Sequence, residues 1–278
     1  MKTDLHLLWI DDNKDFVEAL KPRLEKWMDG HGFGLSIRFQ KNSVGVVQML
    51  RDEDIAFVVL DYHLGKKTGD MIIDELRKAE LYQDIIFYSQ DLKREDFPTV
   101  DGVFFVNRGD AETRIKNLLA LKVRAASDFA TFRGWMLADS IELEIILGRI
   151  LAKCFGSHEQ VFGARVLAHE NLFDFYKKHQ VLNGIIKDRI AELSKEGKPG
   201  AKALSECKKL LDQFPDDIIH PRNALAHQPS EDHEKGKRIK TRAKNENREI
   251  INTPESLVVI RQKIRRHREN LVALETLV

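Results

Sequence analysis

Over roughly the first 120 residues, short apolar runs alternate with stretches in which apolar residues recur at helical spacing. The helical stretches include DFVEALKPRLEKWM (15–28) and GDMIIDELRKAEL (69–81). Apolar runs of this length between polar turns are typical of buried strands. The runs are LHLLWI (5–10), LSIRF (35–39), IAFVVL (55–60), DIIFYS (84–89) and GVFFV (102–106). Their alternation with helices predicts an α/β domain built on a doubly wound, five-stranded parallel sheet.

Polar side chains follow these runs at the points where several strands end. In chain order they are Asp11 and Asp12, Asp61, Ser89, and either Asn107 or Arg108. Ligands of such sheets bind outside the carboxyl ends of the strands, so we expect these side chains to converge. Carboxylates brought together repel one another unless a hard divalent cation lies among them. Oxygen ligands suit Mg²⁺, and the sequence therefore predicts a magnesium site at Asp11, Asp12 and Asp61.

From about residue 127 onward the chain is predicted to be almost entirely helical. The amphipathic segments are 128–155, 159–180, 182–196 and 200–213, separated in part by the breaks GKPG (197–200) and FPDD (214–217). KGKRIKTRAKNENREIINT (235–253) then alternates in character around a polar turn, which predicts a basic β-hairpin. Thr253 is expected to cap a last helix that begins at Pro254. We expect two domains, one over residues 1–122 and a helical bundle over residues 123–278.

The junction between the two domains carries helical periodicity and no proline from Asp110 to Phe155. The last helix of the first domain is therefore expected to run into the second half straight, or with one break near Ala125 to Ser127. A helical strut of this kind would carry a rotation or a dimer contact from one domain to the other, which stays a hypothesis about coupling.

Composition narrows the class of protein. The 278 residues are 42% hydrophobic and 32% charged, which excludes a disordered or fibrous chain. With a net charge of +1, the molecule as a whole is not a polyelectrolyte binder. Cys154 and Cys207 lie far apart without neighbouring His or Cys ligands, so we expect buried free thiols. No apolar run reaches the length of a membrane span, and the first residues lack a signal-peptide layout. We expect a cytoplasmic protein without a membrane partner.

LLWIDDN, VVLDYHLG and IIFYSQ, in this order, closely resemble the receiver domain of response regulators over residues 4 to about 122. The resemblance implies that Asp11 and Asp12 hold Mg²⁺, that Asp61 accepts a phosphoryl group and that Ser89 makes the switch contact to it. A sensor histidine kinase or another phosphodonor would be the partner. Where the family has a lysine followed by proline, FFVNRGD offers Asn107 or Arg108. Arginine pairs with phosphate bidentately but is larger than an ammonium group, and the alternative is a receiver-shaped domain that only dimerises or docks a partner.

The stretch HPRNALAHQP (220–229) places an arginine, an asparagine and a histidine within two helical turns. If Pro221 begins a helix, Asn223 and His227 stand four residues apart on one face, so the amide could orient the imidazole. Arg222 lies about 140° around the helix from His227. A histidine moves protons near neutral pH and a guanidinium neutralises charge on a phosphate. Together they are sufficient for RNA cleavage by the 2′-hydroxyl without a metal.

RNALAH resembles the R-N-x-x-x-H motif of HEPN domains, and the helical bundle, the hairpin and the INTPESL helix start are similar to that family over about 127–278. The resemblance implies a metal-independent endoribonuclease that acts as a homodimer, with Arg222 and His227 as the catalytic pair and Asn223 as the orienting residue. An acid from an early helix often joins the site; the candidates are Asp139, Glu142 and Glu144, and a solvated acidic face is the alternative. A related adenylylation mode needs a tyrosine where this chain has Pro229.

Basic residues directly after the motif are candidate RNA contacts. They are Lys237, Arg238, Lys240, Arg242 and Lys244. Glu231, Asp232, Glu246 and Glu249 are interspersed with them, so a solvated charged loop fits nearly as well.

Three functions remain open. The first is a ribonuclease with a stress, toxin or phage-defence role, controlled by phosphorylation of Asp61 or by docking of a partner. The second is a module that binds RNA or a nucleotide without cutting it. The third is a protein-interaction or DNA-binding output module, which is weakened because the sequence shows no convincing helix-turn-helix.

Overall fold

The computed structural model describes residues 4–65, 67–90, 95, 97, 99–168, 173–234, 236–243 and 246–278. Contacts divide the described chain into two compact units, Asp4–Ala126 and Ser127–Val278. The helix that closes the first unit ends at Ala126 and the next begins at Phe129, so the helical run is interrupted at the unit boundary.

Five parallel strands form the sheet of the N-terminal unit. They are β1 (Asp4–Ile10), β2 (Gly34–Gln40), β3 (Ile55–Asp61), β4 (Asp84–Ser89) and β5 (Val103–Asn107). Their spatial order is β2-β1-β3-β4-β5, with all neighbouring pairs parallel. The order reverses beside β1, which places a crevice at the carboxyl ends of β1 and β3. The predicted sheet is confirmed.

Helices cover both faces of this sheet because its central strands are apolar on both sides. They are α1 (Lys14–Asp29), α2 (Val46–Asp52), α3 (Gly69–Lys78) and α4 (Ala111–Ala126). One face packs Leu8, Val58 and Ile85 against α2 and α3. Asn13 begins α1 with its side-chain oxygen, which accepts a hydrogen bond from the backbone N–H of Phe16 at 3.1 Å. The first helix therefore starts directly after the acid pair.

The C-terminal unit is mainly helical around one core, although the predicted division between two helices at residue 181 is wrong. Its helices are α5 (Phe129–Lys153), α6 (Glu159–Phe162), α7 (Phe175–Lys195), α8 (Ala201–Phe214), α9 (His220–His227) and α10 (Pro254–Leu277). The expected break at residue 181 is absent, since α7 runs through it. The helix begins instead where the Asp174 carboxylate accepts the backbone N–H of Lys177 at 2.8 Å.

The segment before the motif is also continuous where a break was expected. Pro215–Ile219 forms a π-helix that joins α8 to α9, and both Phe214 and Ile219 have right-handed helical dihedrals. A proline lacks the N–H that a regular turn would use, and the wider π turn accommodates the change without ending the helix. Arg222 therefore lies within a continuous helical run and not at a frayed start.

The predicted hairpin is confirmed and gains a third strand. Strands β6 (Glu231–His233), β7 (Gly236–Ala243) and β8 (Glu246–Ile251) are antiparallel, in the order β8-β7-β6. Thr253 then starts α10 in a capping box with Ser256. None of the helices in the described part of the chain is long and apolar enough to cross a membrane.

Candidate functional site

Three carboxylates meet at the carboxyl ends of β1 and β3. Asp11, Asp12 and Asp61 each offer an oxygen, and these atoms lie within 4.8 Å of one another. Asp11 and Asp61 are buried, whereas Asp12 is exposed. Octahedral Mg²⁺ with oxygens at about 2.0–2.1 Å spans at most about 4.2 Å between them, so a small contraction would bring these ligands into range. The residues present fit the cation that the sequence predicts.

Asp11 is held by two hydrogen-bond donors, one of which is itself held by Trp9. Its Oδ1 accepts the backbone N–H of Asn13 at 2.8 Å. Its Oδ2 accepts the hydroxyl of Tyr88, which in turn accepts Nε1–H of Trp9 at 3.0 Å. Burial and the charge of Asp11 raise the pKa of Tyr88 far above its usual range, so the phenol stays a donor. The sequence had assigned Tyr88 and Trp9 only to the apolar strands, and their polar atoms support the acid pair.

Arg108 supplies the positive charge beside the carboxylates. Its Nη2 lies 3.6 Å from Oδ2 of Asp11, and its guanidinium carbon lies 4.3 Å from the ring centroid of Phe16. The same Nη2 is buried and has no hydrogen-bond partner among the residues that the structure describes. Asn107 ends β5 and is exposed. Of the two residues that the sequence left open, Arg108 is the one brought to the acidic cluster.

The local charges act on Asp61 in opposite directions. The pKa of Asp61 is raised to about 6, chiefly by burial and also by the charges of Asp11 and Asp12, while Arg108 opposes the rise. An ionised Asp61 is therefore costly in this site unless a cation is close. The same requirement was inferred from the three converging acids in the sequence.

Two further residues shape the space around Asp61. Ser89 is fully buried at the end of β4, one residue beyond the partner of Asp61 in the sheet register. A Cβ atom on Gly69 would lie 2.5 Å from the carbonyl oxygen of Asp61 and 2.5 Å from Cε2 of Phe87. Glycine is therefore required where α3 begins against the end of β3, a constraint that the sequence pattern did not show.

The second site lies on α9 in the C-terminal unit. Ala224 and Leu225 are buried and anchor the helix, whereas Asn223 and His227 are exposed. The π-helix at Pro215–Ile219 directly precedes this helix, and such segments recur at functional sites. The histidine of the motif is therefore open to a ligand, on a helix fixed by its opposite face.

Asn223 binds the arginine of the motif. Its Oδ1 accepts a hydrogen bond from Nη1 of Arg222, with the two atoms 2.9 Å apart. The sequence had assigned the amide to the imidazole of His227, four residues later. In the structure the amide oxygen holds the guanidinium, and the catalytic assignments of Arg222, Asn223 and His227 remain predictions.

The candidate acids of the early helix differ in their surroundings. Asp139 is fully buried, and Glu142 is exposed. Oε1 of Glu144 binds Nζ of Lys178 at 2.7 Å. Asp139 is therefore enclosed in the bundle and Glu144 is paired with a lysine, which leaves Glu142 as the exposed acid of the three.

Acidic neighbours pair with part of the basic hairpin predicted over residues 235–253, here called the basic ribbon. Lys237 pairs with Asp232 at 2.5 Å, and Arg238 pairs with Glu231 at 2.8 Å. Lys240 lies 3.4 Å from Glu231. Arg242 lies on β7, and Lys244 falls outside the described residues. These contacts favour the solvated charged ribbon over a continuous phosphate track.

Comparisons with known proteins concern the N-terminal unit. No protein-family model matches the sequence, and no curated protein matches it significantly. The signal receiver domain of a putative Luxo repressor protein from Vibrio parahaemolyticus is 13% identical with a TM-score of 0.37, and the match covers 44% of this chain and 92% of that chain.

Two further solved structures are similar in the same way. The receiver domain of the Francisella response regulator 1452 is 15% identical with a TM-score of 0.34, covering 42% of this chain and 98% of that chain. A response regulator receiver protein from Sinorhizobium medicae WSM419 is 14% identical with a TM-score of 0.37, covering 44% and 96%. By their descriptions, these three solved structures are receiver domains or receiver proteins, and each match covers less than half of this chain.

Proposed function

We propose that this chain is a receiver-controlled, metal-independent endoribonuclease. The observation that carries the proposal is the motif helix, on which His227 is exposed and Arg222 is held by Asn223 at 2.9 Å. A proton carrier and a guanidinium on one anchored surface helix are suited to phosphodiester chemistry. The proposal also includes a stress, toxin or phage-defence role, because general RNA cleavage halts growth.

In the reaction, the 2′-oxygen of a ribose attacks the adjacent phosphorus. The O2′–P bond forms and the P–O5′ bond breaks, which leaves a 2′,3′-cyclic phosphate and a 5′-hydroxyl end. One histidine takes the proton from the 2′-hydroxyl, and a second proton carrier gives one to the leaving 5′-oxygen. Arg222 stabilises the charge on the phosphoryl oxygens. Since each chain contributes a single His227, a homodimer that joins two motifs would supply both proton carriers.

The N-terminal unit would supply control. Asp61 accepts a phosphoryl group from a histidine kinase or another phosphodonor, with Mg²⁺ held by Asp11, Asp12 and Asp61. Bound Mg²⁺ would supply charge neutralisation at the acceptor. Arg108, whose buried Nη2 has an ion-pair contact with Asp11 but no hydrogen-bond partner among the described residues, would pair with the new phosphoryl group, while Ser89 makes the switch contact.

Incubation of the purified full chain with RNA in EDTA tests the nuclease. Cleavage that persists in chelator and disappears in His227→Ala supports the proposal. Salt-dependent RNA binding without cleavage by either form would instead make the C-terminal unit a non-catalytic RNA-binding module. An absence of both binding and cleavage would favour a protein-interaction module.

A separate comparison tests control by the receiver-like unit. The full chain is assayed with Mg²⁺, with and without acetyl phosphate, beside Asp61→Ala. A change in cleavage rate with acetyl phosphate that is lost in the variant supports control through Asp61. Unchanged activity under all these conditions removes phosphorylation from the account and leaves the nuclease intact.

A further inference from the structure

An arginine from another helix binds the backbone on both sides of His227. Nη2 of Arg133 donates to the carbonyl oxygen of Ala226 at 3.3 Å and to that of Gln228 at 3.2 Å. Arg133 lies on α5, more than ninety positions earlier in the chain. The two carbonyls bracket the histidine of the motif.

The contact from Arg133 lies at the C-terminal end of the motif helix α9. Helix α9 ends at His227, and Gln228 is extended, with φ −93° and ψ 139°. The last carbonyls of a helix lack intrahelical partners, and a cation near them is favourable. Without Arg133, the last turn would be held by the hydrogen bond from the N–H of Gln228 to the carbonyl of Ala224, at 2.9 Å, and by solvent.

Arg133 itself is fixed by a rigid support. Its neighbours Phe132 and Met136 are 2% and 1% exposed in the core of the bundle. The guanidinium is thus projected from a helix anchored in the core onto the end of a second helix. The last turn of a helix frays unless its backbone is held, and the side chain of the last residue then moves with it.

We propose that Arg133 is a positioning residue that holds the His227 imidazole in place through the carbonyls of Ala226 and Gln228. The inference rests on the proposed nuclease function and adds to it a residue outside the R-N-x-x-x-H motif. Arg133 acts on the geometry of proton transfer and not on RNA affinity.

Arg133→Ala and Arg133→Lys in the full chain test this role, with Arg149→Ala as the matched control. Arg149 lies on the same helix, about 24 Å farther along by the rise of about 1.5 Å per residue. It pairs with the carboxylate of Glu275 at 2.8 Å, so the control removes the same side chain from this helix without touching the backbone around His227. The first readout is kcat and KM for RNA cleavage.

Misplacement of a catalytic group by about 1 Å costs up to about a hundredfold in rate, so Arg133→Ala is expected to lower kcat by tenfold to a hundredfold with KM changed less than about threefold. Arg133→Lys should recover part of the rate, because an ammonium can still bind a carbonyl. Arg149→Ala should match the wild type. An unchanged kcat in Arg133→Ala, or a change in KM alone, overturns the inference.

Hydrogen exchange provides a readout that does not depend on activity. The amide of Gln228 should exchange faster in Arg133→Ala than in the wild type or in Arg149→Ala. If the wild type cleaves no RNA, the proposed nuclease fails, while faster exchange at Gln228 still supports the positioning of His227. Unchanged exchange overturns that positioning whether or not the protein cleaves RNA.

Discussion

Nη1 of Arg222 donates a hydrogen bond to Oδ1 of Asn223, with the two atoms 2.9 Å apart. Adjacent residues on a helix point in different directions, so the long arginine side chain must turn back to reach the amide. The contact fixes the guanidinium on the exposed face that also carries His227. The Asn223 amide therefore contacts the guanidinium, whereas the sequence had assigned it to the imidazole of His227.

This contact predicts non-additive losses in the motif. Arg222→Ala should lower the single-turnover cleavage rate about a hundredfold, since it removes a charge that stabilises the transition state. Asn223→Ala should lower it about tenfold by releasing the guanidinium. The double variant should be no slower than Arg222→Ala alone. Rate losses that multiply would show that Asn223 has a role independent of Arg222.

The sequence predicted the N-terminal sheet closely because buried parallel strands read as continuous apolar runs. The ends of those runs also located Asp11, Asp12 and Asp61 at one edge. The same reading hid Tyr88, because a tyrosine in an apolar run looks like core and its hydroxyl contact with Asp11 depends on tertiary packing. Arg133 was hidden for a related reason, since its partners are backbone atoms distant in sequence.

In the C-terminal unit, local signals were read correctly at some breaks and wrongly at others. GKPG separates α7 from α8 as expected, because two glycines there have positive φ angles. Pro215 reads as a helix stop in sequence, yet the π turn keeps the backbone helical. The charges of the ribbon could not be assigned to RNA or to ion pairs from their order alone, because pairing between strands depends on register.

Arg108 is expected to stabilise the N-terminal unit most when no metal ion is present. Its loss removes the cation that the structure shows beside the fully buried Asp11. In EDTA, Arg108→Ala should lower the free energy of unfolding by about 2 kcal/mol. Added Mg²⁺ should narrow this difference because the ion supplies the missing charge.

The matched control for Arg108 is Arg114→Ala, which removes the same charge from an exposed side chain over the ring of Phe104. It should change the unfolding free energy by less than about 0.5 kcal/mol with or without Mg²⁺. Urea unfolding of both variants in EDTA and in Mg²⁺ gives the comparison. Equal losses in the two variants would remove the special role of Arg108.

Gly69 is expected to be intolerant of any side chain. In Gly69→Ala the new Cβ would press on the carbonyl of Asp61 and on the Phe87 ring, both at 2.5 Å. Overpacking of this kind should lower the free energy of unfolding by about 1–3 kcal/mol. Gly109→Ala is the control, because a Cβ there meets nothing within 4 Å. Equal melting temperatures for Gly69→Ala and Gly109→Ala would contradict the tight packing beside Asp61.

The Asp217 ion pair makes the C-terminal unit sensitive to acid. Nε2 of His267 and Nζ of Lys263 lie 3.0 Å and 2.6 Å from its carboxylate oxygens. Burial acts to raise the pKa of Asp217, but the hydrogen bonds from His267 and Lys263 outweigh it and hold that pKa below its usual value. A carboxyl whose folded pKa is depressed stabilises the protein above its unfolded pKa of about 3.9. That stabilisation is lost as the pH falls through the lower folded pKa.

Asp217→Asn should therefore lower the unfolding free energy by about 2–3 kcal/mol between pH 5 and 7, with a smaller difference below about pH 4. Asp212→Asn is the control, since Asp212 pairs with Lys208 while its side chain is 50% exposed, and it should cost at most about 1 kcal/mol. Urea titrations from pH 3 to 7 measure both. If the difference in unfolding free energy between wild type and Asp217→Asn grew as the pH fell, it would contradict a depressed pKa for Asp217.

The most direct test of the nuclease is cleavage of RNA by the full chain in EDTA, followed by analysis of the new ends. Wild-type protein is predicted to leave 2′,3′-cyclic phosphate and 5′-hydroxyl ends. His227→Ala should cleave at least about a hundredfold more slowly while keeping the wild-type melting temperature, because His227 is exposed and outside the core. Cleavage that EDTA abolishes, or that His227→Ala retains at the wild-type rate, would contradict the account.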